Sequence, residues 1–167
     1  AVSIGVLAYA RHAGPHANSF YSQFLLLVAG LSGMTVTGDV FNLYVFLEIT
    51  GLAAYGLVAS GRGARSAVAA LKYLIIGTIG ASLYLLGVGY ALAATGTLNM
   101  ADLSEKLAAT GYDSTLVLTA FGLIVAGLLV KVALFPIHTW QPDAYADSPD
   151  SVSAFISALV STVSAYA

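Results

Sequence analysis

The stretch Leu116–Tyr145, LVLTAFGLIVAGLLVKVALFPIHTWQPDAY, decides the class of this chain. It opens on an apolar run suited to crossing ~30 Å of hydrocarbon as a helix. Lys131 nevertheless stands some 16 residues in, and Pro136 follows five residues later. Proline removes a backbone donor and strains the turn before it, so a broken helix is expected between Lys131 and Pro136. Irregular backbone at membrane depth persists where protein buries it or where it lines a wet cavity.

The same apolar character runs outward in both directions. Hydrophobic residues make up 59% of the 167 residues and charged ones only 8%, against roughly 25% charged in a soluble domain. The fold class is all-α polytopic membrane protein. Apolar runs read against polar punctuation give a truncated segment at 1–10 and full ones at about 20–37, 42–60, 67–94 and 114–135. A truncated last segment follows at 151–167. The chain starts and stops inside apolar runs, which reads as a piece of a longer protein forming one transmembrane domain over 1–167 with no soluble domain. Residues 100–110 suit a short amphipathic helix at the outer surface. Arg11, His12 and His16 share one linker, and Arg62 and Arg65 another. Asp39, Asp102, Glu105, Lys106 and Asp113 occupy the alternate linkers. The arginine bias puts the first two linkers in the cytoplasm.

Six Lys and Arg against eight Asp and Glu leave a net charge of -2, without the basic excess that nucleic-acid binding requires. With no cysteine the chain has no disulfide, thiolate metal site or iron–sulfur cluster, so neither metal nor cofactor is expected. Electrons moving nearby would be carried by another subunit. GRGAR at 61–65 lacks the GK[ST] ending of a phosphate loop.

A charge at the bilayer centre costs ~2.5–3.5 kcal/mol on insertion scales, so it persists only inside protein or beside water. Glu48, in LYVFLEITGLAAYGLVAS (Leu43–Ser60), is deep by either boundary. Tyr44 and Tyr55, four before and seven after, share its helical face and suit holding a carboxylate or water. Glu48 and Lys131 together outline a proton switch, because moving a carboxylate near a buried lysine changes the lysine's hold on its proton. Lys72 is balanced between snorkelling to the cytoplasmic side and an interior role. His138 is a candidate relay, and Trp140 with Tyr145 would suit an interface. Asp143 is the acid after the break most suited to burial. Ser153, Ser157, Ser161 and Ser164, with Thr162 alongside, fall on one face of an ideal α-helix, which suits either close packing or a hydrated stripe.

Three strings, GDVFNLYVFLEITGLAAYGLVA (Gly38–Ala59), LKYLIIGTIGASLYLLGVGYALAATGTLNMADL (Leu71–Leu103) and LLVKVALFPIHTWQPDAYADSPDSVSAFISALVSTVSAYA (Leu128–Ala167), carry a family resemblance. The chain resembles the antiporter-like membrane subunits shared by Mrp-type sodium/proton antiporters, complex I and membrane-bound hydrogenases. The middle string looks most like the Mrp D subunit. The resemblance implies a fold of about fourteen helices with two inverted five-helix repeats, of which this piece runs from the end of the third helix into the eighth. It implies that Glu48 and Lys131 are the family's proton-loading pair, and that Lys72 and His138 match a lysine near the start of the sixth helix and the histidine after the break. It also implies a departure. Thr162 stands where many members have an eighth-helix lysine, and Ile156 where others have a histidine. The lateral path would then run through water along Ser157, Ser161 and Thr162, or coupling would be lost.

The expectation is a proton-translocating subunit of a multisubunit sodium/proton antiporter, with no catalytic chemistry of its own, embedded in the prokaryotic plasma membrane. Its expected partners are other membrane subunits, lipid, protons and sodium. Charges ~6 Å apart at an effective dielectric of ~20 interact by roughly 3 kcal/mol, enough to gate a proton. The alternatives are a pump subunit of a redox-driven complex and a non-translocating scaffold in which Glu48 and Lys131 form a static pair.

Overall fold

The computed structural model describes residues 2–12, 18–61, 63–110 and 114–167. His16, Arg62 and Asp113, three of the residues on which the expected orientation rests, lie outside the described residues. In chain order the elements are α1 (Val2–His12), α2 (Asn18–Val36), α3 (Val40–Ala59), α4 (Ala64–Thr95), α5 (Met100–Thr110) and α6 (Thr115–Val132). Then come α7 (Gln141–Ala146), α8 (Asp150–Phe155), a π-helical turn over Ile156–Val160, and α9 (Ser161–Tyr166). Among the described residues α2, α3, α4 and α6 are long and apolar enough to cross a membrane. α5 coincides with the expected amphipathic segment. α6 stops at Val132, not Phe135, because the chain turns at Ala133 ahead of Pro136.

The bundle is held by close backbone approach. α4 packs against α3 on one side and α6 on the other, and α2 packs on α3. Hydrocarbon supplies no hydrophobic force between apolar helices, so contact depends on small residues that let backbones meet. Gly80 and Gly87 on α4 face Gly127 and Ala120 on α6. A Cβ at Gly127 would lie 2.5 Å from the Gly80 carbonyl oxygen and 2.7 Å from the Tyr84 nitrogen. Tyr84 then reaches across to α3, its hydroxyl donating to the Val40 carbonyl at 3.1 Å.

The loops confirm the alternation of ends. Asp39 caps α3 by accepting from the Phe41 and Asn42 N–H groups at 2.9 and 2.8 Å, and it bridges to Asn99 ahead of α5. Val40 N–H donates to the Leu98 carbonyl and Met100 N–H to that of Gly38, so the α2–α3 and α4–α5 turns share one end of the bundle. At the opposite end the turn at Gly61 abuts the Asp147 carbonyl. α4, at 32 residues, is about 48 Å long and exceeds the hydrocarbon thickness. Its outer face carries Leu71, Leu74, Ile75, Ile79 and Leu86, exposed to the surroundings of the bundle.

The α4–α6 seam makes a direct prediction. Gly127→Ala places a methyl against backbone that cannot yield and is expected to cost about 1–3 kcal/mol in thermal unfolding of the solubilised protein. Gly122→Ala, with nothing within 4 Å of its Cβ, is expected to leave stability unchanged or raise it slightly.

Candidate functional site: a buried amine at a broken helix

Lys131 sits on the last turn of α6, where the C-terminal end of the helix dipole favours a cation. Ala133 closes the helix in the left-handed region (φ 57°, ψ 44°). Its N–H donates to the Val130 carbonyl at 3.2 Å and that of Leu134 to Leu129 at 3.1 Å, a Schellman closure. Glycine is the usual residue at this position, because a Cβ there costs ~1–2 kcal/mol. The expected break therefore begins two residues past Lys131 and continues through the cis Phe135–Pro136 peptide. Ala133→Gly is expected to raise stability by about 0.5–1 kcal/mol in thermal unfolding, the relief of the left-handed Cβ less glycine's greater unfolded-state freedom.

The amine points back into the bundle. Its side chain is 8% exposed, which excludes snorkelling to an interface, and that of Glu48 is 27% exposed. Lys131 Nζ stands 3.7 Å from Glu48 Oε1 and 3.4 Å from the Tyr55 hydroxyl, to which it donates. It also lies 5.9 Å from the centre of the Tyr55 ring. The two segments that sequence reading singled out are thus brought together, closer than the ~6 Å spacing used above. Opposite charges ~4 Å apart at an effective dielectric of ~20 attract by about 4 kcal/mol. Removing ions from water costs several kcal/mol each, which opposes that attraction.

Tyr55 belongs to a longer aromatic contact. Its ring meets Tyr73 of α4 edge-on (4.6 Å, 82°), and Tyr73 lies flat against Trp140 (4.0 Å, 1°). Trp140 is 1% exposed, and its indole N–H donates to the Val130 carbonyl at 3.2 Å. The expectation of an interfacial tryptophan is corrected: the Val130 carbonyl, which also accepts from the Ala133 N–H, takes the indole N–H as a second donor inside the core. Tyr44, the other tyrosine of the Glu48 face, is half-buried with its ring 6.1 Å from Phe41.

Lys72 binds Asp143 of α7, Nζ to Oδ2 at 2.6 Å, with the side chains 54% and 41% exposed. The pair lines a cavity of about 290 Å³ with Arg65 and Asp147. Lys72 therefore lies half-exposed at the arginine-bearing end, paired across to α7, and Asp143 is half-exposed where burial was expected. No spacing rule relates residues 72 and 143, and the only sequence signal for the pair was opposite charge. A double-mutant cycle on Lys72→Ala and Asp143→Ala is expected to give a coupling of about 0.2–1 kcal/mol that shrinks with added salt.

His138 is half-buried, 5.7 Å from the Phe135 ring, and its Nδ1 is buried without a hydrogen-bond partner among the described residues. The serine stripe is not continuous. The π turn at Ile156–Val160 shifts the helix register, leaving Ser157 exposed and bonded to the Ala154 carbonyl while Ser164 is buried. Thr162 is exposed and bonded to the Ala158 carbonyl. Ser161 meets the Tyr145 hydroxyl at 3.2 Å, which in turn accepts from Gln141 at 2.8 Å. Among the described residues no group of three or more His, Asp or Glu converges as a metal site would need.

A bundle of membrane-crossing helices with a carboxylate and an amine paired at a broken helix defines a class of polytopic membrane subunit. Comparison with known proteins identifies which one. The family described as NADH:quinone oxidoreductase/Mrp antiporter, transmembrane, matches residues 37–167, and the chain belongs to that family. It is 57% identical over 169 aligned residues to NADH-quinone oxidoreductase subunit N of Desulforudis audaxviator (strain MP104C), covering 96% of this chain and 33% of that protein. It is 40% identical to the D subunit of the Na(+)/H(+) antiporter of Bacillus subtilis (strain 168), covering 89% of this chain and 30% of that one. A chain of the membrane-bound sulfane sulfur reductase, an archaeal respiratory membrane complex, superposes with a TM-score of 0.82 at 43% identity, covering 86% of this chain and 29% of that one. The chain thus spans about a third of the length of these relatives, which are subunits of multisubunit membrane assemblies.

Proposed function

We propose that this chain is part of a proton-translocating subunit in a multisubunit membrane complex, with Lys131 as the switching group and Glu48 as the carboxylate that sets its proton affinity. The observation that carries this reading is the Lys131–Glu48 approach of 3.7 Å inside the bundle, at the broken end of a membrane-crossing helix. When both groups are charged, the proton on Lys131 is held. When a partner subunit or a bound ion draws Glu48 away, the hold weakens and the proton moves on. Tyr55 shares the amine in either state. Lys72 with Asp143 would serve the cavity at the arginine-bearing end, taken as cytoplasmic, and His138 would serve the region after the break. The lateral path would use Ser161 with Tyr145, in place of an unbroken line through Ser157 and Thr162.

The segment is read as the end of the third helix through part of the eighth in a repeat-built fold. Sodium/proton exchange as the coupled process is supported by the likeness to the Bacillus subtilis antiporter protein. A redox-driven assembly is the second reading, favoured by the higher identity to an NADH-quinone oxidoreductase subunit N. The proton step assigned to Glu48 and Lys131 is the same in both.

The test measures proton transport in vesicles bearing the whole assembled complex at equal abundance, driven first by a sodium gradient and then by a reductant with quinone. Glu48→Gln and Lys131→Ala are each expected to lower transport by about tenfold or more, since one pK unit in the switch is tenfold in occupancy. Transport surviving in both single variants and in the double variant would instead mark the pair as a static tie in a scaffold.

A further inference from the structure

Resting on the assignment of Lys131 as the switch, we propose that Tyr73, Trp140, Gly51 and Gly77 are positioning residues: with Tyr55 they form a rigid aromatic strut that holds the Lys131 amine at its working place.

Among the described residues Lys131 has no short polar bond to fix it. Its distances to Glu48 and Tyr55 are 3.7 and 3.4 Å, both long for a charge-assisted contact. Its location is therefore set by what walls it in. The Tyr55 hydroxyl stands in a slot between two glycines on different helices. A Cβ on Gly77 of α4 would overlap that hydroxyl, and one on Gly51 of α3 would lie 2.9 Å from it and 3.2 Å from Lys131 Nζ. The slot thus fits a phenol and an amine together and admits no added methyl.

Behind the slot the strut is continuous. Tyr55, Tyr73 and Trp140 are 5%, 3% and 1% exposed, and each ring touches the next. Trp140 then bonds to the carbonyl of Val130, the residue before Lys131. The circuit begins and ends at the last turn of α6, passing through α3, α4 and the residue that opens α7. Neighbouring Lys72 and Asp143 fasten the same two elements, α4 and α7, one residue from Tyr73 and three from Trp140. A shift of α7 therefore moves Trp140 against Tyr73, the ring that backs Tyr55, the neighbour of the amine.

The rings act here by shape, which separates this role from proton carriage. Tyr73→Phe keeps the stack and removes only a hydroxyl, whereas Tyr73→Leu removes the ring. Transport is measured in the reconstituted complex at matched abundance, with Lys131→Ala as reference. Tyr73→Phe is expected to stay within about twofold of wild type and Tyr73→Leu to fall about fivefold or more, the size of losing one aromatic contact. If Tyr73→Leu does not assemble, a second comparison decides. Gly77→Ala is expected to lower transport when Tyr55 is present and to add no further loss in Tyr55→Leu, which removes both the hydroxyl and the ring carbons that a Cβ at Gly77 would meet. Loss in Tyr73→Phe equal to that in Tyr73→Leu would overturn the proposal, as would a Gly77→Ala loss that simply adds to that of Tyr55→Leu. Full transport in Tyr73→Leu and Gly77→Ala with none in Lys131→Ala would overturn the strut and leave the switch standing. Transport persisting in Lys131→Ala would overturn both.

Discussion

An amine on the last turn of a membrane helix has to be held by something other than water, and four elements of this chain are arranged around that need. α6 contributes the favourable end of its dipole, α3 a carboxylate and a phenol, α4 a ring, and the segment after the break an indole that takes up a carbonyl. None of these contacts is strong alone. Coulomb attraction of about 4 kcal/mol at ~4 Å is set against a desolvation cost of several kcal/mol for each ion. At 3.7 Å the Lys131–Glu48 contact is longer than a tight ion pair. The 2.6 Å Lys72–Asp143 bridge is the contrast within the same chain: shorter, yet half-exposed and more easily screened.

The backbone arrangement serves the same end. Glycines on α4 and α6 bring the two helices close enough for Lys131, Tyr84 and Tyr55 to share one interior. The left-handed alanine at 133 ends α6 abruptly, so the chain can return Trp140 to the helix it has just left. A straight continuation to Phe135 would have carried the tryptophan away from Val130. The break is what makes the site.

Much of this was legible in the sequence for a physical reason. Apolar runs of spanning length, a proline after a deep lysine and a lone glutamate in hydrocarbon each carry a local cost, and such costs are readable one segment at a time. Asp39 also reads locally as polar punctuation, although its bridge to Asn99 does not. What escaped were relations between segments. The Tyr73–Trp140 stack joins positions 67 residues apart, and the Lys72–Asp143 pair joins positions 71 apart. No periodicity encodes either. Trp140 was misread because an amphipathic ring fits an interface equally well, and its partner, the Val130 carbonyl that also accepts from Ala133, comes within reach only once the helix has broken. The serine stripe failed through the π turn, because one wider turn displaces every later side chain around the axis.

In the proposed function Lys131 changes its protonation state under the control of Glu48. The most direct measurement is the solid-state nitrogen NMR signal of Lys131 Nζ in the reconstituted complex, followed across the pH range in which transport operates, in wild type and in Glu48→Gln. A titration within that range is expected in the wild type, with a different midpoint when Glu48 is neutralised. An amine that keeps one protonation state throughout, or a midpoint indifferent to Glu48, would contradict the proposed function.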